Sequence, residues 1–246
     1  MAFVIVQAAP VLAAGDVTVV LGQITGEKAD NQIAVYSDVG GTQIWVEGHE
    51  GTTINGGNDP VSLQAGGMLR IEMGAGKDAV DVCLTPADDF PVYLDIDGGQ
   101  QNDEIVVKGG PFLGIEVWAD SLGWGIPGGH DQVKIEDVVI EGEGSFTPGL
   151  IVYTGEGQDE VVVRNTYLDP FVGGPVRIWT GMGHDHIVID SIAVFDFELW
   201  CYSGNDVVEC RGNSEVQNAY IRLEDGNDVV DAEKGASWVS EAGNVA

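Results

Sequence analysis

One marker recurs along this chain: a glycine turn, an aspartate, then alternating aliphatic residues. It reads GGNDPVSL, GAGKDAVDV, GGQQNDEIVV, PGGHDQVKI, GEGQDEVVV, GMGHDHIVI, YSGNDVVEC and EDGNDVVDA. The aspartates are Asp59, Asp78, Asp103, Asp131, Asp159, Asp185, Asp206 and Asp228, spaced 19, 25, 28, 28, 26, 21 and 22 residues apart. A weaker copy, GEKADNQIAV, has Asn31 in the aspartate's place. Two and four residues past every marker the side chain is apolar, from Ile33 and Val35 to Val230 and Ala232. The positions between are mixed, among them Glu104, Lys134, Glu160 and His186. Alternation of this kind marks a strand with one buried face.

A second strand precedes the turn, at Ile71 and Met73, Val152 and Thr154, Ile178 and Thr180, Leu199 and Cys201, and Ile221 and Leu223. A third apolar run often follows a polar break six residues past the marker, at Asp137, Asn165 and Ser191. Such residues tolerate the left-handed conformation of a tight corner. Each unit therefore reads strand, glycine turn, strand, corner, strand, loop. One unit cannot bury its apolar face alone, but stacked units can. The expected fold is all-β: a single right-handed parallel β-helix of about nine coils. An antiparallel sandwich would not keep one marker at constant phase in every unit.

The units resemble two families. The GxGxD turn followed by alternating valines, as in GAGKDAVDV, GEGQDEVVV and GMGHDHIVI, is similar to the hemolysin-type calcium-binding (RTX) repeat. The three-strand unit with its Asn, Asp or Ser corner resembles the right-handed β-helix of the pectate-lyase type. RTX repeats run every nine residues and give two glycine loops per coil. Here each unit has one loop, and Asp206 and Asp228 follow only SGN and DGN. The RTX resemblance implies Ca²⁺ between successive loops, with Asp59, Asp78, Asp103, Asp131, Asp159, Asp185, Asp206 and Asp228 as ligands. Calcium needs 6–8 hard oxygens, which two stacked loops can largely supply. The alternative role is local: each carboxylate accepts hydrogen bonds from turn N–H groups and orders the loop without metal.

Charge limits the partners. The 246 residues hold 40 acidic and 10 basic side chains, a formal net charge of −30. Such a surface repels phosphate backbones and anionic membranes, so nucleic-acid binding is excluded and multivalent cations are favoured. No stretch reaches the ~20 apolar residues of a membrane-inserting helix. The N-terminal MAFVIVQAAPVLAAGD has the apolar run and small residues of a secretory signal, without its positive start. Residues 1–30 are read as a signal remnant and cap strand, and 31–246 as the repeat domain. The expected location is secreted or at a cell surface, in a bacterium. Three cysteines, Cys83, Cys201 and Cys210, cannot all pair within one chain. Buried thiols are expected, with a Cys201–Cys210 bridge as the alternative.

One outward column is aromatic. Six residues before the marker stand Tyr153, Trp179 and Trp200 on consecutive units, then Arg222, with Arg177 two residues before Trp179. Stacked aromatics suit the apolar face of a sugar or a protein partner, so polysaccharide binding or self-association is expected. The alternative is a loop, 112–127 or 164–175, folded over the rings. His184 and His186 read as surface residues. Catalysis of the pectate-lyase kind needs an acid–arginine set, and none recurs at fixed phase. The function expected is a non-enzymatic adhesive, matrix or filament component, with a polysaccharide lyase or hydrolase as the rival.

Overall fold

The computed structural model describes residues 16–20, 22–26, 29–64, 67–85, 92–120, 128–142, 149–169, 174–233 and 237–238. Of the expected signal remnant and cap strand, residues 1–30, the described residues include 16–20, 22–26 and 29–30, and residues 1–15 lie outside them. Every regular element among the described residues is a β-strand, and together they form a stacked parallel β-solenoid.

Three walls enclose the core. The first holds the strands that follow the markers: Gln32–Ser37, Ala79–Leu84, the start of Glu104–Asp120, Gln132–Ile140, Glu160–Arg164, His186–Asp190, Val207–Arg211 and Val229–Ala232. Each is parallel to the next, with equivalent residues in register. The second wall precedes the glycine turns. It runs from Gln23–Thr25 through Gly67–Glu72, Val92–Gly99, the end of Glu104–Asp120, Leu150–Tyr153 and Val176–Gly183 to the ends of Ala193–Ser203 and Glu215–Asp225. The third wall is short: Tyr167–Leu168, for example, pairs with Val139–Ile140. The solenoid makes about six turns rather than nine.

Alternation converts directly into burial. On the first wall Ile33, Val80, Ile105, Val133, Val161, Ile187 and Val208 are at most 2% exposed. On the second, Ile24, Ile71, Ile96, Val117, Val152, Ile178 and Leu199 are fully buried. Each such side chain contributes about 1.5–3 kcal/mol, and in a solenoid those contributions couple only neighbouring rungs. Val230, expected in the same inner stack, is instead 42% exposed, because it stands in the last described strand of its wall. The corners follow expectation: Asp137, Asn165 and Ser191 have φ of 54°, 48° and 56°.

The N-terminal end departs from the repeat. Asp59 does not occupy a rung. Gln32–Ser37 pairs directly with Ala79–Leu84, so the next rung after Asn31 is Asp78, 47 residues on. The intervening segment forms Gln43–His49, antiparallel to Gln32–Ser37, and then Val61–Gln64, antiparallel to Gln43–His49. These strands extend the first wall beyond its first rung. Asp16–Val20 does the same for the second wall, antiparallel to Gln23–Thr25. Antiparallel strands cover the edge that a bare coil would leave for unwanted pairing. The three cysteines are free thiols, with Cys201 and Cys210 buried and Cys83 exposed.

Candidate functional site

Stacking brings seven of the eight marker aspartates into one column headed by Asn31. Each carboxylate accepts the backbone N–H of the preceding marker. Oδ1 of Asp78 accepts from Asn31 at 2.7 Å, Asp103 from Asp78 at 2.8 Å, Asp131 from Asp103 at 2.8 Å and Asp159 from Asp131 at 2.9 Å. The ladder continues to Asp185, Asp206 and Asp228 at 3.0, 2.9 and 3.0 Å. Asp78, Asp103, Asp131, Asp159, Asp185 and Asp206 are 1–3% exposed, Asp228 is half-buried, and Asp59 is exposed outside the column. Glycine two residues before the aspartate permits this closeness on every aspartate rung of the column but that of Asp103, where Gln101 takes the place at φ 79°. Gly183, at φ +153°, lies so near Gly157 of the preceding rung that a Cβ would fall on its carbonyl oxygen.

Residues just before several of the markers, which vary in type, are linked in the opposite direction. There the earlier rung's side chain accepts: Asp30 from the Lys77 N–H (2.9 Å), His130 from Gln158 (2.9 Å), His184 from Asn205 (2.8 Å) and Asn205 from Asn227 (3.0 Å). The sequence hint was acceptor chemistry shared by unlike residues.

The column is electrostatically tense. Unit charges ~5 Å apart repel by roughly 3 kcal/mol at an effective dielectric of 20. The Oδ2 atoms of Asp78, Asp103, Asp131, Asp159 and Asp185 are buried and accept no well-formed hydrogen bond. Burial dominates, pushing Asp103 up to about 9, Asp159 to about 8, Asp131 to about 7, and Asp78 and Asp185 to about 6. The ladder N–H opposes the rise in every case. The Thr154 and Thr180 hydroxyls also oppose it, beside Asp159 and Asp185. Among the described residues, no three or more His, Cys, Asp or Glu side chains are gathered as a metal centre would require.

The aromatic column lies on the second wall and is longer than expected. Trp118 pairs in register with Tyr153, Tyr153 with Trp179, and Trp179 with Trp200. Trp118 escapes a fixed-offset reading because it stands 13 residues before Asp131, where the other rings stand six before theirs. Ring centroids are 5.4 Å apart for Trp118–Tyr153 and 6.2 Å for Trp179–Trp200, the latter pair edge to face at 87°. These separations exceed the ~4.8 Å strand spacing because the rings tilt, aromatic quadrupoles disfavouring face-to-face stacking. Tyr202 and Tyr220 meet Trp200 at 6.5 and 6.3 Å. All four rings of the column are half-buried, and Tyr220 is 43% exposed.

Loop 112–127 does not fold over the rings as a unit, since residues 112–120 are wall strand; 121–127 lie outside the described residues. Within 164–175, Arg164 and Tyr167–Leu168 are also strand, and 170–173 lie outside. Arg177 pairs with Glu198 at 3.2 Å, and Arg222, opposite Trp200, with Glu224 at 3.0 Å.

The outer face of the first wall carries a further ladder. Lys108 meets Glu136 at 3.2 Å, Arg164 meets Glu136 and Asp190 at 3.3 Å each, and Arg211 stands opposite Asp190. Charge therefore alternates rung by rung. His186 bonds Glu209 at 3.1 Å on the same face, consistent with its reading as a surface residue. Compared with protein-family models, curated proteins and solved structures, the chain matches none.

Proposed function

We propose that this chain is a non-enzymatic solenoid that binds a neutral polysaccharide along its second wall, as an adhesive or matrix component outside a bacterial cell. The supporting observation is the in-register run Trp118, Tyr153, Trp179 and Trp200 on four successive strands. A linear glycan repeats along its length as the wall does, and aromatic side chains combine apolar area with a polar edge. Arg177 and Arg222 are each held by a glutamate. They extend the platform with their stems more than with charge. The acidic surface and the apolar N-terminal segment support an extracellular setting.

On this reading the aspartate column is structural, because each Oδ1 from Asp78 to Asp228 is already engaged by a backbone N–H. Calcium held by RTX-like turns is the alternative role for the same residues. Affinity electrophoresis through gels containing soluble glucans, xylans and galactans tests the function. The native chain is expected to be retarded by at least one, and the Trp179→Ala/Trp200→Ala variant to lose that retardation with its strand spectrum intact. Equal retardation of both proteins, or release of reducing ends by the native chain, would count against the proposal.

A further inference from the structure

The aromatic column has defined ends. Strand register carries it from Trp118 through Tyr153 and Trp179 to Trp200. In the same line the preceding strands place acids, Asp97 opposite Trp118 and Glu72 opposite Asp97. The following strand places Arg222 opposite Trp200. Four rings are therefore bounded by negative charge at one end and by a guanidinium at the other. From Trp118 to Trp200 is three strand spacings, roughly 14 Å. The line crosses the strands and so runs along the solenoid axis.

The rings do not offer separate sites. Each is half-buried and several pack against a neighbour, at 44° for Trp118 on Tyr153 and 87° for Trp179 on Trp200. Each thus presents only part of its surface. A ligand over one ring gains little, whereas one that follows the line gains from all four. The flanks are acidic. Glu116 and Glu198 stand two residues before Trp118 and Trp200, and Glu156 stands three after Tyr153. Carboxylates there accept hydrogen bonds from hydroxyl groups and repel carboxylated or sulfated sugars. Arg177, the cation on that flank, is already held by Glu198 at 3.2 Å.

Resting on the glycan reading above, we infer that the column takes an internal stretch of four consecutive residues of a linear, uncharged glycan in extended form, one residue over each ring, with the glycan lying along the solenoid axis. One pyranose of an extended chain advances by close to one strand spacing, so sugar residues and rings keep step. Past Trp118 and past Trp200 the column offers charge in place of a ring, and further sugar residues add no stacking. Length of the bound stretch is thus set by the number of strands that carry a ring.

The test is titration calorimetry of the native chain with β-1,4-linked oligomers of glucose, xylose and galactose, two to six residues long. For the sugar that binds, affinity should rise several-fold with each residue up to four and then stay level. Trp118→Ala removes a terminal ring and should move the plateau to three. Arg222→Trp changes an exposed residue opposite Trp200 and adds a fifth ring, so it should move the plateau to five. A gain in length of this kind cannot come from a misfolded chain. A plateau at two, a rise that continues through six, hexamers that fail to bind although a polymer retards the chain, or one plateau shared by the native and both variant chains would overturn the four-residue track and leave the glycan reading standing. Absence of binding by every oligomer, together with absence of retardation by every polymer, would overturn both.

Discussion

Asp159 offers a test of how the aspartate column sets stability. Its carboxyl is 2% exposed and burial pushes it from its usual 3.8 up to about 8. The folded chain therefore binds this proton more tightly than the unfolded chain does. The linked stability is fully present below pH 3.8 and is lost as pH rises through about 8. Within that window one such group changes stability by about 1.4 kcal/mol per pH unit. For a chain of this size that is roughly 3–6 °C in melting temperature per pH unit. Asp159→Asn removes the titration and keeps an oxygen for the Asp131 N–H. Asn31 already heads the column, with its side-chain amide donating to the Ala29 carbonyl at 2.6 Å and to Asp78 Oδ1 at 3.0 Å. Thermal unfolding of both proteins at pH 5, 6, 7 and 8, at constant ionic strength, reads the effect. The variant should gain on the native chain with each unit of pH. Parallel curves would mean that Asp159 is ionised throughout and the burial argument fails.

Two further outcomes test the rung contacts and the metal question. Gly51 has φ +93° with open space around it, so Gly51→Ala should cost only the ~1–2 kcal/mol of a left-handed alanine. Gly183→Ala should cost several kcal/mol in chemical denaturation, because its Cβ meets the Gly157 carbonyl; equal costs would mean the rungs can part freely. Calcium and sodium chloride at matched ionic strength should raise the melting temperature equally if charge screening is the only effect. A larger calcium shift, with heat in a titration, would assign a specific site to the turns.

Repetition made the walls legible in the sequence. Val133, Val161 and Ile187 declare their burial because each rung repeats the phase of the last, and Asp137, Asn165 and Ser191 declare the corners by their tolerance of positive φ. Asp59 misled because a marker turn reports a local conformation. Whether the following strand joins the stack depends on Gln43–His49, which pairs on both sides of itself. Trp118 was hidden for the converse reason: its strand is in register, but the longer connection to Asp131 breaks the count. The direction of the aspartate hydrogen bonds depends on which rung offers its N–H, and residue type carries no record of that.

The alternating column Lys108, Glu136, Arg164, Asp190, Arg211 constrains how this chain can change length. Each member sits one rung from an opposite charge and two rungs from a like charge. Deleting the single coil that carries Arg164 would set Glu136 beside Asp190, acid against acid at ~4.8 Å. Deleting the Arg164 and Asp190 coils together would set Glu136 beside Arg211 and restore attraction. Duplications obey the same parity. In this segment coils are best gained or lost in pairs, so the unit of inheritance spans two turns of the solenoid although the unit of folding spans one.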